Sequence, residues 1–322
     1  MISNRIQNFS LILLLLFTCT KKSENQVLDL IKSPTSVELF APGVVSTGLY
    51  ERDMAISPDG REIIYSLGDY KQNRRCLVLI RESEGAWSKP KILPFSGRYQ
   101  DIEPFFSNEG NRLFFASDRP ISDTSGRTDY NIWYVDRNQS AWKNPVPVNE
   151  NINTEGDEYY PSVSSNGNLY FTATRKDGIG REDIYYSKFV DGYYQDPILL
   201  DSTINTTYFE FNAYVSPDED LLIFSSYGRD GGFGGGDLYY SQKDDIGNWT
   251  SARNMGEKVN SNKLDYCPFV DWPRNNFYFT SERVGEMDTI WKEVEDVIKF
   301  SIKSRNGMGD IYRISLDELG IQ

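Results

Sequence analysis

Acidic side chains recur at fixed places in this sequence, and they are the residues whose type and spacing could support chemistry. One set stands six residues before a repeated Ser or Asp, the repeat anchor: Glu51, Asp101, Glu158, Glu210 and Asp265. Four residues before the same anchor, two copies carry an acid, Asp53 and Glu103. Residues two apart in a strand share a face, so both sets are expected on one side. Carboxylates clustered there could hydrolyse glycosides or hold Ca²⁺.

Two interpretations of these acids stay open. The chain has no histidine, which excludes Ser-His-Asp and Cys-His mechanisms and the usual zinc sites. A carboxylate present in every copy is better explained as part of the repeat, accepting backbone N–H groups or pairing with a neighbouring unit. If catalysis occurs, Asp53 and Glu103 are the candidates, because the other three copies have no acid at their position.

Five copies of one pattern must position these residues. Their anchors lie 50 to 57 residues apart and are Ser57, Ser107, Ser164, Ser216 and Asp271. In each copy a strand ends in a tight turn such as 57–60, and an apolar run such as 113–115 follows. Further strands such as 184–186 and a Trp- or Tyr-bearing edge strand complete the unit. This pattern predicts one β-propeller blade per copy, with the inner strands around a central channel. The first acidic set and Arg119 are then expected to bind a ligand at the channel mouth.

The two chain ends are expected to close the ring. The fifth copy lacks its fourth strand, which residues 36–40 would supply. We therefore expect an all-β fold, a single propeller of five four-stranded blades over residues 35–322. Six blades is the alternative, if residues 286–309 contain a degenerate blade. This insert is either a short amphipathic helix or an extra hairpin, and the alternation over 297–302 favours the hairpin. It is a candidate surface for a partner.

The repeat resembles the WD40-like β-propeller repeats of the TolB type. The matching features are the Ser-Pro-Asp-Gly turn, an Arg after the second strand and a Gly-Gly-x-Asp-Ile-Tyr element. They occur in four stretches, 101–134, 158–186, 210–240 and 265–312. The first copy departs from the pattern, with Gly68 and Asp69 in place of the Arg. The resemblance implies a propeller, and it leaves function open between a binding platform, an assembly part and an enzyme scaffold.

Other residues are assigned structural roles. Each Arg after a second strand is expected to pair with the Asp that opens the third strand: Arg175 with Asp183, Arg229 with Asp237, Arg283 with Asp310, and Arg119 with Asp129 or Asn131. The loop 230–237 lacks the residues of a phosphate-binding loop. We expect no cofactor, with Ca²⁺ at Asp230 and Asp237 as the alternative. Cys76 and Cys267 are expected to be buried free thiols, not a disulfide.

The N-terminus predicts export. Arg5 precedes the apolar stretch 11–17 and Cys19, which resembles a bacterial lipoprotein signal with Cys19 as the lipidated residue. Residues 1–19 are then the signal and 20–34 a polar tether. A net charge of −13 argues against nucleic acid and against electrostatic binding to a membrane surface. Membrane contact would come through the lipid anchor alone.

Two functions from different classes follow. The first is a cell-envelope lipoprotein, periplasmic or outer-membrane, whose propeller binds an envelope protein or glycan as a monomer. The second is a carboxylate-based glycosidase or lyase with its site at the channel mouth, independent of histidine. The binding function is the preferred interpretation.

Overall fold

The computed structural model describes residues 28–122, 126, 128–138, 141–286 and 290–321. Within these ranges, five antiparallel sheets form a five-bladed β-propeller. Each inner strand contacts the inner strands of the adjacent blades, and the ring is thereby continuous. The predicted all-β fold and blade number are confirmed. Arg5, the apolar stretch 11–17 and Cys19 lie outside the described residues.

The first three blades follow the chain from the inner strand outward. Blade 1 consists of Tyr50–Ile56, Glu62–Gly68, Arg75–Ser83, Ala86–Trp87 and Lys91–Ile92. Blade 2 consists of Asp101–Phe106, Arg112–Ser117, Asn131–Asn138, Ala141–Trp142 and Val146–Pro147. Blade 3 consists of Glu158–Val163, Leu169–Ala173, Asp183–Ser187 and Ile198–Leu199. A separate hairpin, Phe189–Val190 with Tyr193–Tyr194, precedes its outer strand.

The last two blades follow the same order. Blade 4 consists of Phe209–Val215, Leu221–Tyr227, Asp237–Gln242 and Arg253–Asn254. Blade 5 consists of Asp265–Asp271, Asn276–Ser281 and Asp310–Ser315, and its fourth strand is the N-terminal Glu38–Leu39. The turns at the repeat anchors define the base face of the ring. The opposite end, where the inner strands begin, is the mouth face.

The core lies between adjacent blades. One aromatic position of the second strand is at most 1% exposed in four blades: Phe115, Phe171, Phe224 and Phe279. Around Phe171, the cluster combines Phe114 and Ile132 of blade 2 with Tyr185 of blade 3. Burying one such side chain stabilises the fold by about 1.5–3 kcal/mol. The high aromatic content is therefore explained by packing between blades.

The N-terminal segment closes the ring as predicted. Glu38 and Leu39 pair with the third strand of blade 5, and Phe40 donates its N–H to the Ile311 carbonyl at 2.8 Å. The sequence predicts that residues 28–34 belong to a polar tether over 20–34, but they pack against the propeller. Leu28 and Leu30 are 7% and 5% exposed, because their apolar side chains join the core cluster that blades 1 and 5 share.

The insert in blade 5 is helical. It forms Val294–Ser301, with a capping box between Glu293 and Asp296. The predicted hairpin is wrong, because the capping box and the acidic first turn stabilise a helix start. The six-bladed alternative is also wrong, since the described part of the insert adds no blade. Within the described ranges, no helix has the length and apolar character to cross a bilayer.

Candidate functional site at the channel mouth

A bulge in each inner strand decides which side chains reach the channel. The residue four positions before the repeat anchor is left-handed in all five blades, with φ from 48° to 61°. At this point the register with the second strand shifts by one residue. One extra residue reverses the alternation of faces. The prediction that the two acidic sets share a face is therefore wrong.

The acids six residues before the anchor bind the loop that precedes each inner strand. All five are 0% exposed. Glu158 accepts hydrogen bonds from the Thr154 backbone N–H at 3.1 Å and from its hydroxyl at 2.6 Å. Glu51, Glu210 and Asp265 accept the same bonds from the residue four positions earlier. These carboxylates fix a loop, and they are not among the residues that line the channel mouth.

The arginines after the second strands pair with these same acids. The pairs are Arg119–Asp101, Arg175–Glu158, Arg229–Glu210 and Arg283–Asp265. The predicted pairing with the third strand is wrong, because its acids accept N–H groups from their own loops. Asp183, for example, accepts the Gly180 N–H at 3.0 Å, and Asp310 accepts the Arg305 N–H at 2.6 Å. Arg119 is 7% exposed, so the structure does not present it to an anionic ligand.

Sequence reasoning missed an asparagine that helps to hold the same loop before the inner strand. Asn153, Asn205 and Asn260 each stand five residues before the inner-strand acid and are followed by Thr or Ser. Asn153 accepts the Ile132 N–H at 2.8 Å and donates to the Val148 carbonyl at 2.9 Å. The amide thereby joins the third and outer strands of one blade to the loop entering the next. The spacing Asn-Ser/Thr-x-x-x-Glu/Asp is a signal that could have revealed this role.

The left-handed residues converge in the channel and form its floor: Asp53, Glu103, Tyr160, Asn212 and Cys267. Arg52 joins two of them, with its guanidinium 2.8 Å from Asp53 and 3.0 Å from Glu103. Glu103 also accepts the Tyr160 backbone N–H at 2.7 Å and a bond from the Asn212 amide at 3.2 Å. The Cys267 thiol donates to Asp53. The channel floor is therefore a closed hydrogen-bond network.

Above the floor, the channel mouth is a cavity of about 240 Å³. Its walls include three aromatic side chains, Tyr159, Phe211 and Tyr266, and the charged side chains of Arg52, Arg75, Glu103 and Glu182. The Arg52 guanidinium lies over the Tyr266 ring at 5.0 Å. Arg75 donates to Gln100 at 2.9 Å and lies over the Tyr130 ring. A concave site with apolar walls and a few polar groups is the usual form of a ligand pocket.

Burial shifts the titration of the acids at the mouth. It raises the pKa of Glu103 to about 7, with a further contribution from the negative charge of Asp53. Burial also raises the pKa of Glu182, and nearby Asp157 adds to this effect. The pKa of the Tyr159 phenol is raised by burial and then by Asp157, Glu103 and Glu182. One side of the mouth is therefore rich in negative charge.

Two further cavities lie on the base face. One, of about 230 Å³, closes the opposite end of the channel with Phe105, Phe269 and Trp272. It shares no lining residue with the mouth, so the floor separates the two. A wider cleft of about 540 Å³ lies between blades 2 and 3, where Asp136 binds Arg112 and Glu62 binds Arg137. It lies away from the channel network.

Metal ligands and thiols are the remaining groups that could support chemistry. Among the described residues, no group of three or more His, Cys, Asp and Glu side chains is arranged to hold a metal ion. Asp237, a candidate for Ca²⁺, accepts the Phe233 N–H at 2.7 Å and a bond from Asn254 at 2.8 Å. Both Cys76 and Cys267 are free thiols; Cys267 is buried, whereas Cys76 is only half-buried.

Comparisons with known proteins return structures of similar fold. No family model matches the chain, and no curated protein matches it. A putative TolB from Agrobacterium tumefaciens is 16% identical over 76% of this chain and 73% of its own, with a TM-score of 0.47. TolB from Acinetobacter baumannii is 15% identical over 82% of this chain and 54% of its own, with a TM-score of 0.46.

An enzyme is also among the similar structures. The α-L-arabinofuranosidase of Podospora anserina, solved with cellotriose, is 14% identical over 88% of this chain and 98% of its own, with a TM-score of 0.48. The strand pairing of the chain itself establishes the five-bladed ring.

Proposed function

We propose that this chain is a cell-envelope binding protein that holds part of a partner, a protein or a glycan, in the channel mouth. One observation carries the proposal: the mouth is a blind cavity with three aromatic walls above a closed floor. Aromatic side chains contribute much of the binding free energy at recognition sites, and they lose little conformational entropy on binding because they have few rotatable bonds. A floor that is already hydrogen-bonded gives the site a fixed shape, which reduces the cost of ordering it on binding.

The contacts of the two catalytic candidates favour binding over hydrolysis. Asp53 is bonded to Arg52 through two contacts of 2.8 Å and receives the Cys267 thiol. Glu103 is bonded to Arg52 and to the Tyr160 backbone. A glycosidase needs one carboxyl group as acid and another as base or nucleophile, both facing the substrate. Neither acid is free to do this while the floor network is intact.

The envelope location rests on the N-terminal sequence. Arg5, the apolar stretch 11–17 and Cys19 are the features of an exported, lipid-anchored chain. Residues 28–34 run along the base face, where the Ser33 hydroxyl donates to the Arg274 carbonyl at 3.1 Å. A chain anchored near Cys19 would hold its base face toward the membrane, leaving the mouth face open to partners.

Site-specific photo-crosslinking tests the proposal. A benzophenone amino acid at Leu264, which lines the mouth, is expected to capture one defined partner in the envelope. The matched position is Trp272 on the base face, 41% exposed, from which that adduct should be absent. The partner is then purified, and Tyr159→Ala should weaken its binding about tenfold or more, with Trp272→Ala neutral. Identical adducts from both positions, or none from Leu264, would contradict the proposal.

A second function has one observation in its favour. The pKa of Glu103 is raised to about 7 beside a second carboxyl group, Asp53, and such a pair is typical of acid–base catalysis. The second function is therefore that of a carboxylate-based glycosidase. Aryl glycosides and xylan- or cellulose-derived oligosaccharides are the substrates to test. Turnover that disappears in Glu103→Gln and in Asp53→Asn would establish it, whereas absence of turnover, or turnover that persists in both variants, would remove it.

A further inference from the structure

We infer that the channel mouth binds one positively charged group, an alkylammonium or guanidinium on an apolar stem, through Glu182 and the aromatic walls. This inference rests on the proposed function and specifies the chemistry of the part that the mouth holds. A positively charged group of this kind could come from either of two sources, a Lys or Arg side chain of a partner protein or a free diamine.

Glu182 is the first observation. Its side chain lines the mouth, and its backbone is fixed because the Glu210 N–H donates to its carbonyl at 2.9 Å. In the described part of the chain its carboxylate has neither a hydrogen bond nor an ion pair. A half-buried carboxylate without a partner is costly, and a cationic ligand would relieve that cost with a charge-assisted hydrogen bond.

The charge balance of the mouth is the second observation. Among the described residues, four carboxylates line the mouth or lie beside it, those of Asp53, Glu103, Asp157 and Glu182, against two guanidinium groups. Arg52 is bonded to two of the acids, and Arg75 binds the neutral groups of Gln100 and Tyr130. The mouth therefore carries excess negative charge, and one excess charge remains even when Glu103 is protonated. A closed floor and low-dielectric walls strengthen its field.

The walls and the size of the cavity are the third observation. Arg52 already lies over Tyr266 at 5.0 Å, so this wall accepts a guanidinium over an aromatic face. Tyr159 and Phe211 offer further aromatic surface to a second cation and its stem. The volume of about 240 Å³ is below the roughly 300–1,000 Å³ of pockets for drug-sized ligands. It suits one side chain, not an extended glycan.

The test compares matched small ligands on the full chain. Nα-acetyl-lysine methylamide is the cationic probe, the norleucine analogue has the same stem without charge, and the glutamate analogue reverses the charge. Cadaverine represents a free diamine. Saturation-transfer NMR and thermal shift are measured at fixed ionic strength and pH 8, in the millimolar range expected for ligands with so few atoms. The lysine probe should bind about tenfold or more tightly than the norleucine probe.

The variants locate the effect. Glu182→Gln keeps the shape of the side chain and removes its charge, and it should reduce lysine binding about tenfold while leaving norleucine binding unchanged. Asp218→Asn is the matched control: it removes an exposed acid on the base face and should change neither. Tighter binding of lysine within a peptide than of cadaverine would identify a protein as the source, and the reverse order would identify a free amine.

Two outcomes overturn the inference. One is lysine binding that is absent or no tighter than norleucine binding. The other is lysine binding that Glu182→Gln does not change. Failure of the proposed function looks different. If the glutamate or norleucine probe binds as tightly as the lysine probe or more tightly, and Phe211→Ala abolishes that binding, the mouth is a binding site of other chemistry and the proposed function stands. If no probe binds and Leu264 gives no crosslink, the mouth is not a site.

Discussion

At the scale of single residues, one backbone conformation divides the inner-strand acids into two groups. The left-handed residue in each bulge sends Asp53 and Glu103 into the channel floor. The acids two positions earlier are turned into the blade, where they bind a loop and, in four blades, an arginine. Blade 1 lacks that arginine. Glu51 is therefore a buried carboxyl group with no cationic partner in the part of the chain that the structure describes, and burial raises its pKa to about 7.

The raised pKa of Glu51 predicts that it contributes to the pH dependence of stability, together with Glu103, Glu158 and Asp310, whose pKa values burial also raises. The pKa of Glu51 is higher in the folded chain than the ordinary value of 4.5, so the folded state holds its proton more tightly. The resulting stabilisation is complete below about pH 4.5 and is lost as the pH rises through about 7, by up to about 3 kcal/mol. Urea denaturation at pH 5 and pH 8 should show a smaller decline in Glu51→Gln than in the parent chain.

Glu210→Gln is the contrasting variant for this measurement. The Glu210 carboxylate is 3.1 Å from the Arg229 guanidinium, and its neutralisation leaves that group, whose side chain is only 15% exposed, without its counter-charge. We expect a loss of about 3–5 kcal/mol at both pH values. An equal decline with pH in the parent chain and Glu51→Gln would show that the titration of Glu51 does not contribute.

At the scale of elements, the insert in blade 5 stands apart from the propeller core. Its helix, Val294–Ser301, has no buried residue. It lies against the loop before blade 1, where the Ile302 backbone leaves no room for a Cβ atom at Gly48. The ends of the insert are held together because the Gly285 N–H donates to the Arg305 carbonyl at 2.8 Å. The insert is therefore an addition on the mouth face that lies outside the propeller core.

Exchanging residues 290–303 for a short Gly-Ser linker should therefore change the free energy of unfolding by no more than about 1 kcal/mol. Chemical denaturation of the two chains measures this directly. The same chain tests the insert as a partner surface, since the Leu264 crosslink should persist if the partner is held by the mouth alone. A loss of several kcal/mol would mean that the insert supports the fold.

At the scale of the whole molecule, the ring is closed by a short strand from the far end of the chain. Glu38 forms an ion pair with Arg313 at 2.8 Å, and the Phe40 ring packs edge-on against Tyr278 at 5.2 Å. Phe40 is 2% exposed. The closing strand covers the outer edge of the third strand of blade 5, and a covered edge is a poorer template for aggregation. Closure also makes blade 5 depend on contacts that span almost the full sequence.

Phe40→Ala tests how much the closure contributes. We expect a loss of about 3–5 kcal/mol in the free energy of unfolding, because the substitution leaves a cavity in the closing blade. Leu49→Ala is the control, since Leu49 is 46% exposed and its truncation should cost no more than about 0.5 kcal/mol. Denaturation followed by tryptophan fluorescence provides both values. Similar values for the two variants would contradict a structural role for the closing strand.

The sequence by itself determined the repeat, the number of blades and the closing strand. These follow from the period of turns and apolar runs, which are local signals in the chain. It also indicated that acids present in every copy are structural, although it assigned the arginines to the wrong partners.

The tertiary structure decided which acids reach the channel. A bulge of one residue reverses the faces of a strand. The residues at the bulge differ in type between the blades and share no conformational propensity that would predict a bulge: Asp53, Glu103, Tyr160, Asn212 and Cys267. Glu182 and Tyr159 come from blade 3, whereas Phe211 and Tyr266 come from blades 4 and 5, so only the packing of the blades around the channel brings them together. Long-range contacts of this kind have no local signature, because side chains from distant segments meet only after the sheets have packed.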